Sequence, residues 1–190
     1  MQPPSALATA VDFVSSMFGP FDRRLDFQTI QFTAERHPFT AYPLPYSQFR
    51  VQICLPASAA DEEWKVARHL SHELVHCLSP NGLPSLRATV LEEGLAEHCS
   101  IHFMRANYTI TGSDFEWADS VQGSHRVAFD LVEQVVEHED LGGMRAAVRS
   151  VRAATGLPFA DLSADALAAH FTKTPPHLLD RLSGRFADLN

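Results

Sequence analysis

FRVQICLP at residues 49–56 and DEEWKVARHLSHELVHCL at residues 61–78 change period within a few positions. In the first stretch apolar and polar residues alternate from Phe49 to Leu55 and stop at Pro56, which reads as a strand. Its alternate polar residues suggest a sheet edge. In the second, Ala67, Leu70, Leu74 and Leu78 form one apolar stripe at helical spacing, with Lys65, His69, His72 and His76 on the other side. Ser58 and Asp61 are candidate caps, and Ser79-Pro80-Asn81-Gly82 ends the helix.

Upstream, residues 1–24 read as a short helix closed by the turn Gly19-Pro20, and 25–35 as a further strand. Pro38, Pro43 and Pro45 make 36–48 a loop. Downstream the periodicity is helical: about 85–106, 119–139, a helix to about Thr155 after Gly142-Gly143, then 163–171 and 175–187, the last opened by Pro175-Pro176. A small β region followed by helices is an α+β arrangement: a sheet packed on the motif-bearing helix over 1–82, then a helical lobe over 83–190, all in one domain.

The composition narrows the function. The chain has 190 residues, 45% of them hydrophobic, enough for a core. The net charge of −8 and the pI of about 5.6 argue against nucleic acid or an anionic membrane as partner. There is no apolar run long enough for a bilayer and no basic, apolar leader at the start, so a cytoplasmic location is expected. Cys54, Cys77 and Cys99 are too few and too widely spaced for a disulfide framework or a zinc knuckle, and are expected as packing residues. Ten histidines are the unusual feature.

His72-Glu73-Leu74-Val75-His76 puts two imidazoles one helical turn apart on the same face, so both can reach one ion. Glu73 projects beside them, placed to take a proton from water polarised by the metal. The plain alternative is a solvated polar face that happens to carry histidines. In the next helix Glu93 and Glu97 are also four apart and share a stripe with Val90, Ile101 and Met104. Two carboxylates on such a stripe need partners, and a metal and a metal-bound histidine would serve. Glu92 is expected as a solvated or capping-region acid. His98 and His102 mimic a ligand pair but lie far round the helix from Glu93. His69 is expected on the helix surface, and His37 has no visible context.

His72-Glu73-x-x-His76, sixteen intervening residues, then Glu93-Gly94-x-Ala96-Glu97 resembles the gluzincins, the thermolysin-like zinc metallopeptidases, and the Glu-Gly form is similar to their aminopeptidase branch. The resemblance implies a zincin-like fold, a Zn2+ ion held by His72, His76 and Glu93, Glu73 as general base, and Glu97 orienting the imidazole of His72. The metzincin pattern would require Gly at 79 and His at 82, where the chain has Ser79 and Gly82. The Gly-x-Met-Glu-Asn strand of the aminopeptidase branch has no counterpart upstream of Glu73, which leaves the 49–55 strand as candidate upper rim of a substrate cleft. The stretch Ser120 to Phe129 resembles the place where aminopeptidases carry a catalytic tyrosine. Here it holds His125, a candidate oxyanion stabiliser, with Tyr108 as competitor.

These features point to a zinc hydrolase, a peptidase acting on a peptide or protein substrate. The alternatives are a zinc-binding regulatory domain without proteolysis and a zinc hydrolase of a non-peptide substrate. The presence of Glu73 favours catalysis, because a non-catalytic relative has no need of the base.

Overall fold

A computed structural model describes residues 4–83, 87–108 and 116–189. Helix α1 (Pro4–Phe18) comes first, followed by strands β1 (Asp26–Thr33), β2 (Phe39–Ala41) and β3 (Arg50–Pro56). Helices α2 (Glu63–His76), α3 (Val90–Asn107), α4 (Gly123–Thr155), α5 (Ala164–Ala168) and α6 (Pro176–Ser183) complete the chain, with short 3₁₀ turns at 57–59, 117–120, 159–161 and 186–189. This is the α+β order expected from the sequence: a small sheet, then a helical lobe.

The sheet runs β1-β3-β2, with β1 parallel and β2 antiparallel to β3. The 49–56 strand is therefore central, not an edge. Its polar positions, though still reached by solvent, pair with groups on β1: Arg50 Nε lies 2.9 Å from Asp26 Oδ2, and Gln52 bonds Gln31. Its apolar positions Val51, Ile53 and Leu55 are fully buried. The edge falls instead to β2, inside the segment expected to be loop. Three residues between Pro38 and Pro43 suffice for a strand when only one side must pair.

One buried cluster joins Val51, Ile53 and Leu55 of β3 to Ala67, Leu70 and Leu74 of α2, to Leu91, Leu95 and Ile101 of α3, and to Val132 and Val148 of α4. Helix α2 is covered on both sides. Its apolar stripe is buried, and so are Ser71, His72 and Glu73. The α2 N-cap is Glu62, with no side-chain cap bond, so neither Ser58 nor Asp61 plays that part. Helix α3 is capped by Thr89, whose side chain accepts from Glu92 N. The expected start at Ser85 falls outside the described residues.

Helix α4 has two limbs. They meet at Asp140, which has φ of 61° and caps the second limb by accepting from Gly143 N at 2.8 Å. This matches the expected break between Glu139 and the helix ending at Thr155. Where α3 crosses the first limb, a Cβ on Gly94 would stand 2.4 Å from the carbonyl oxygen of Ala128. Only glycine permits that approach. Among the described residues no helix is long and apolar enough to cross a membrane.

Candidate metal centre

Helix α2 offers His72, Glu73 and His76 from its C-terminal half, and α3 offers Glu92, Glu93 and Glu97 from its N-terminal half. The two helices pack directly against each other. His72 Nε2 and His76 Nε2 lie 3.3 Å apart. Glu93 Oε2 sits 3.5 Å from the first and 3.7 Å from the second. Ligand atoms bound at about 2.0–2.2 Å to one tetrahedral ion stand roughly 3.3–3.6 Å from each other. The triangle therefore fits a single zinc ion closely. The donor chemistry fits as well, since two imidazoles and a carboxylate are ordinary zinc ligands. Glu93 Oε2 is also buried without a hydrogen-bond partner, a costly state for a carboxylate oxygen unless a cation answers it.

Without a metal this site is a nest of opposed charges. Burial alone would lower the pKa of His76, but Glu93, the hydrogen-bonded Glu92 and Glu73 outweigh it and raise the value to about 10. Glu93 is held down at about 2, since the histidines, His76 foremost, overcome the upward push of burial. In the absence of an ion the site thus favours a protonated His76 beside an ionised Glu93.

Each imidazole has a carboxylate at its far nitrogen. Glu97 Oε1 lies 3.4 Å from His72 Nδ1, the contact the resemblance implies, and Glu97 Oε2 accepts from Arg68 Nη2 at 3.1 Å. Glu92 corrects the expectation of a solvated acid. It is fully buried, 2.8 Å from His76 Nδ1, and its other oxygen accepts from Asn81 Nδ2 at 2.7 Å. The motif Thr89-x-x-Glu92 has the spacing of a capping box, but here the glutamate side chain turns to His76. Such partners fix the orientation of a ligand imidazole and raise its basicity.

Glu73 lies beneath β2. Its Oε2 accepts from Thr40 Oγ1 at 2.9 Å. Burial raises its pKa against the lowering pull of His76, His72 and the Thr40 bond. Thr40 carries no recognisable signal, being one residue of a proline-flanked run. Cys77 is fully buried beside Thr40, as a packing residue would be, and burial raises its thiol beyond the usual range.

His125, in the first turn of α4, stands across from α2. Its Nδ1 is 3.4 Å from Glu97 Oε1 and 3.6 Å from Glu93 Oε2, and its ring centroid is 4.8 Å from that of Phe186. Burial first, opposed by Glu93, lowers its pKa and favours the neutral imidazole. Tyr108 caps the far end of α3, packs against Phe103 and does not line the cleft.

These groups open into a cavity of about 540 Å³, walled by β2, α2, α3, the start of α4 and Phe186. His37 and His69 line it too. His69, expected on the helix surface, is half-buried at the cavity wall, and burial lowers its pKa to about 4. The upper rim is formed by β2, because both sides of β3 are already paired. Comparison with family models, with curated proteins and with solved structures finds no match for this chain.

Proposed function

We propose that this chain is a zinc-dependent hydrolase, most specifically a peptidase, with His72, His76 and Glu93 as ligands and Glu73 as general base. The observation that carries this reading is the convergence of three ligand atoms at 3.3–3.7 Å, one of them Glu93 Oε2, which is buried and makes no hydrogen bond. The resemblance of the 72–97 spacing to gluzincins agrees with it.

When bound, zinc polarises a carbonyl oxygen and lowers the pKa of water to about 7. Everything else falls to residues of this chain. Thr40 holds one oxygen of Glu73, leaving the other to accept the proton of the attacking water and return it to the leaving amine. Burial lifts the pKa of Glu73 toward the range in which a carboxylate can both take and give a proton. Glu92 and Glu97 hold the two imidazoles. Neutral His125, at the opposite wall, is placed to donate a hydrogen bond to the developing oxyanion. A peptide is favoured as substrate because β2 presents the outer edge of the sheet along the cleft, and an extended backbone can pair with such an edge.

The test is removal and return of the metal. Chelator-stripped protein should cleave nothing in a mixed peptide library, regain cleavage with one equivalent of zinc, and lose that recovery in His72→Ala. Cleavage that persists in metal-free protein would overturn the reading.

A further inference from the structure

Helix α3 carries a second i, i+4 histidine pair on the side facing α4. His98 is fully buried and His102 is half-buried, and their ring centroids are 4.3 Å apart at 42°. From the first limb of α4, Glu133 brings its Oε1 to 2.6 Å from His98 Nδ1. One ligand atom from each of the three residues lies within 4.8 Å of the other two. We infer that His98, His102 and Glu133 form a second divalent-metal site, which clips the first limb of α4 to α3.

Three observations support more than a hydrogen-bonded pair. The single bond to Glu133 leaves His98 Nε2 buried with no hydrogen-bond partner among the described residues. His102 packs on the His98 ring and makes no hydrogen bond among the described residues, although its nitrogen is within reach of the other two donors. The arrangement also repeats the architecture of the first centre: two histidines one turn apart, answered by a glutamate from the next helix in the chain. Two imidazoles and a carboxylate suit zinc or a neighbouring late first-row ion. The Glu133 side chain is 38% exposed, so the remaining coordination positions face water.

The site has a structural consequence for the cleft. Glu133 lies eight residues beyond His125, about 12 Å along the same limb at 1.5 Å per residue. An ion bridging Glu133 to α3 fixes the limb that presents His125 to the cleft.

The experiment is a zinc titration of the stripped, tag-free chain by equilibrium dialysis with elemental analysis. It compares wild type, His102→Ala, Glu133→Gln, His76→Ala and the His76→Ala/His102→Ala double variant. The expected counts are two ions for wild type, one for each single variant and none for the double. His102 and Glu133 are the residues to change because they are partly exposed, and circular dichroism confirms that each variant is folded. If His76→Ala keeps an ion that His102→Ala loses, the second site stands even should the first fail. If wild type binds one ion and both His102→Ala and Glu133→Gln retain it unchanged, the cluster is only a hydrogen-bonded pair and the inference is overturned.

Discussion

Replacing Glu92 separates a ligand-orienting carboxylate from a solvated one. In the fold this side chain has no exposure and accepts two hydrogen bonds, from His76 and from Asn81. Glu92→Ala removes the acceptor that fixes the His76 ring, and such losses lower metal affinity about 10- to 100-fold, or about 1.4–2.8 kcal/mol. Without zinc the damage is larger in kind: the raised pKa of His76 favours its protonated form, and removing Glu92 from this largely buried pair costs up to roughly 3–5 kcal/mol. Glu92→Gln keeps one acceptor oxygen, but its amide then confronts a donor of Asn81. Asn81 cannot flip freely, because its Oδ1 accepts from Ala160 N at 3.3 Å. Glutamine should therefore fall between wild type and alanine in both measures. Competition titration against a chromophoric chelator gives the affinity, and thermal unfolding with and without zinc gives the stability. A Glu92→Ala protein that binds zinc within twofold of wild type would refute the reasoning, and with it the role assigned to Glu92.

Gly94→Ala should destabilise by about 1–3 kcal/mol or more, the usual scale of overpacking, because the new methyl meets the backbone of Ala128; urea unfolding measures it. Zinc affinity should fall steadily between pH 8 and pH 6, since His76, with a pKa near 10, must release a proton to bind, and proton release in a weak buffer should accompany the titration. His69 tests the opposite sign. Its folded pKa of about 4 lies below the usual 6.5, so the unfolded chain takes up the proton first and stability is lost as pH falls from 6.5 toward 4. His69→Gln should lose less stability than wild type across that window, and parallel curves would remove His69 from the account.

The helical part of the architecture was legible because period and punctuation agree there. The α2 stripe, the Asp140 break ahead of Gly142-Gly143 and the Pro175-Pro176 start all appear near their expected places. The i, i+4 spacings at 72/76 and 93/97 foretold which side chains share a face, and the fold brings those faces together. What lay beyond reach was decided by pairing between distant segments. Gln52 and Arg50 look like edge residues until Gln31 and Asp26 are placed beside them. Glu92 follows a cap and precedes the proposed ligand Glu93, so helical phase alone leaves it between solvent and core. Only the α2–α3 crossing turns it onto His76. Thr40 is in a similar position, acquiring its contact with Glu73 only when β2 is laid over α2.

The central claim is that this chain hydrolyses peptides with Glu73 as the base beside a zinc ion, and substitution of that one side chain tests it most directly. Glutamine has nearly the shape of glutamate and can keep the Thr40 bond through its amide oxygen, but it accepts no proton from water. The measurement is single-substrate turnover of zinc-loaded wild type and Glu73→Gln on a peptide drawn from the library, with zinc content determined on the same samples. The account predicts equal zinc in both proteins and a rate at least ~100-fold lower in Glu73→Gln, the lower scale for loss of a general base. Equal zinc with equal turnover would contradict it.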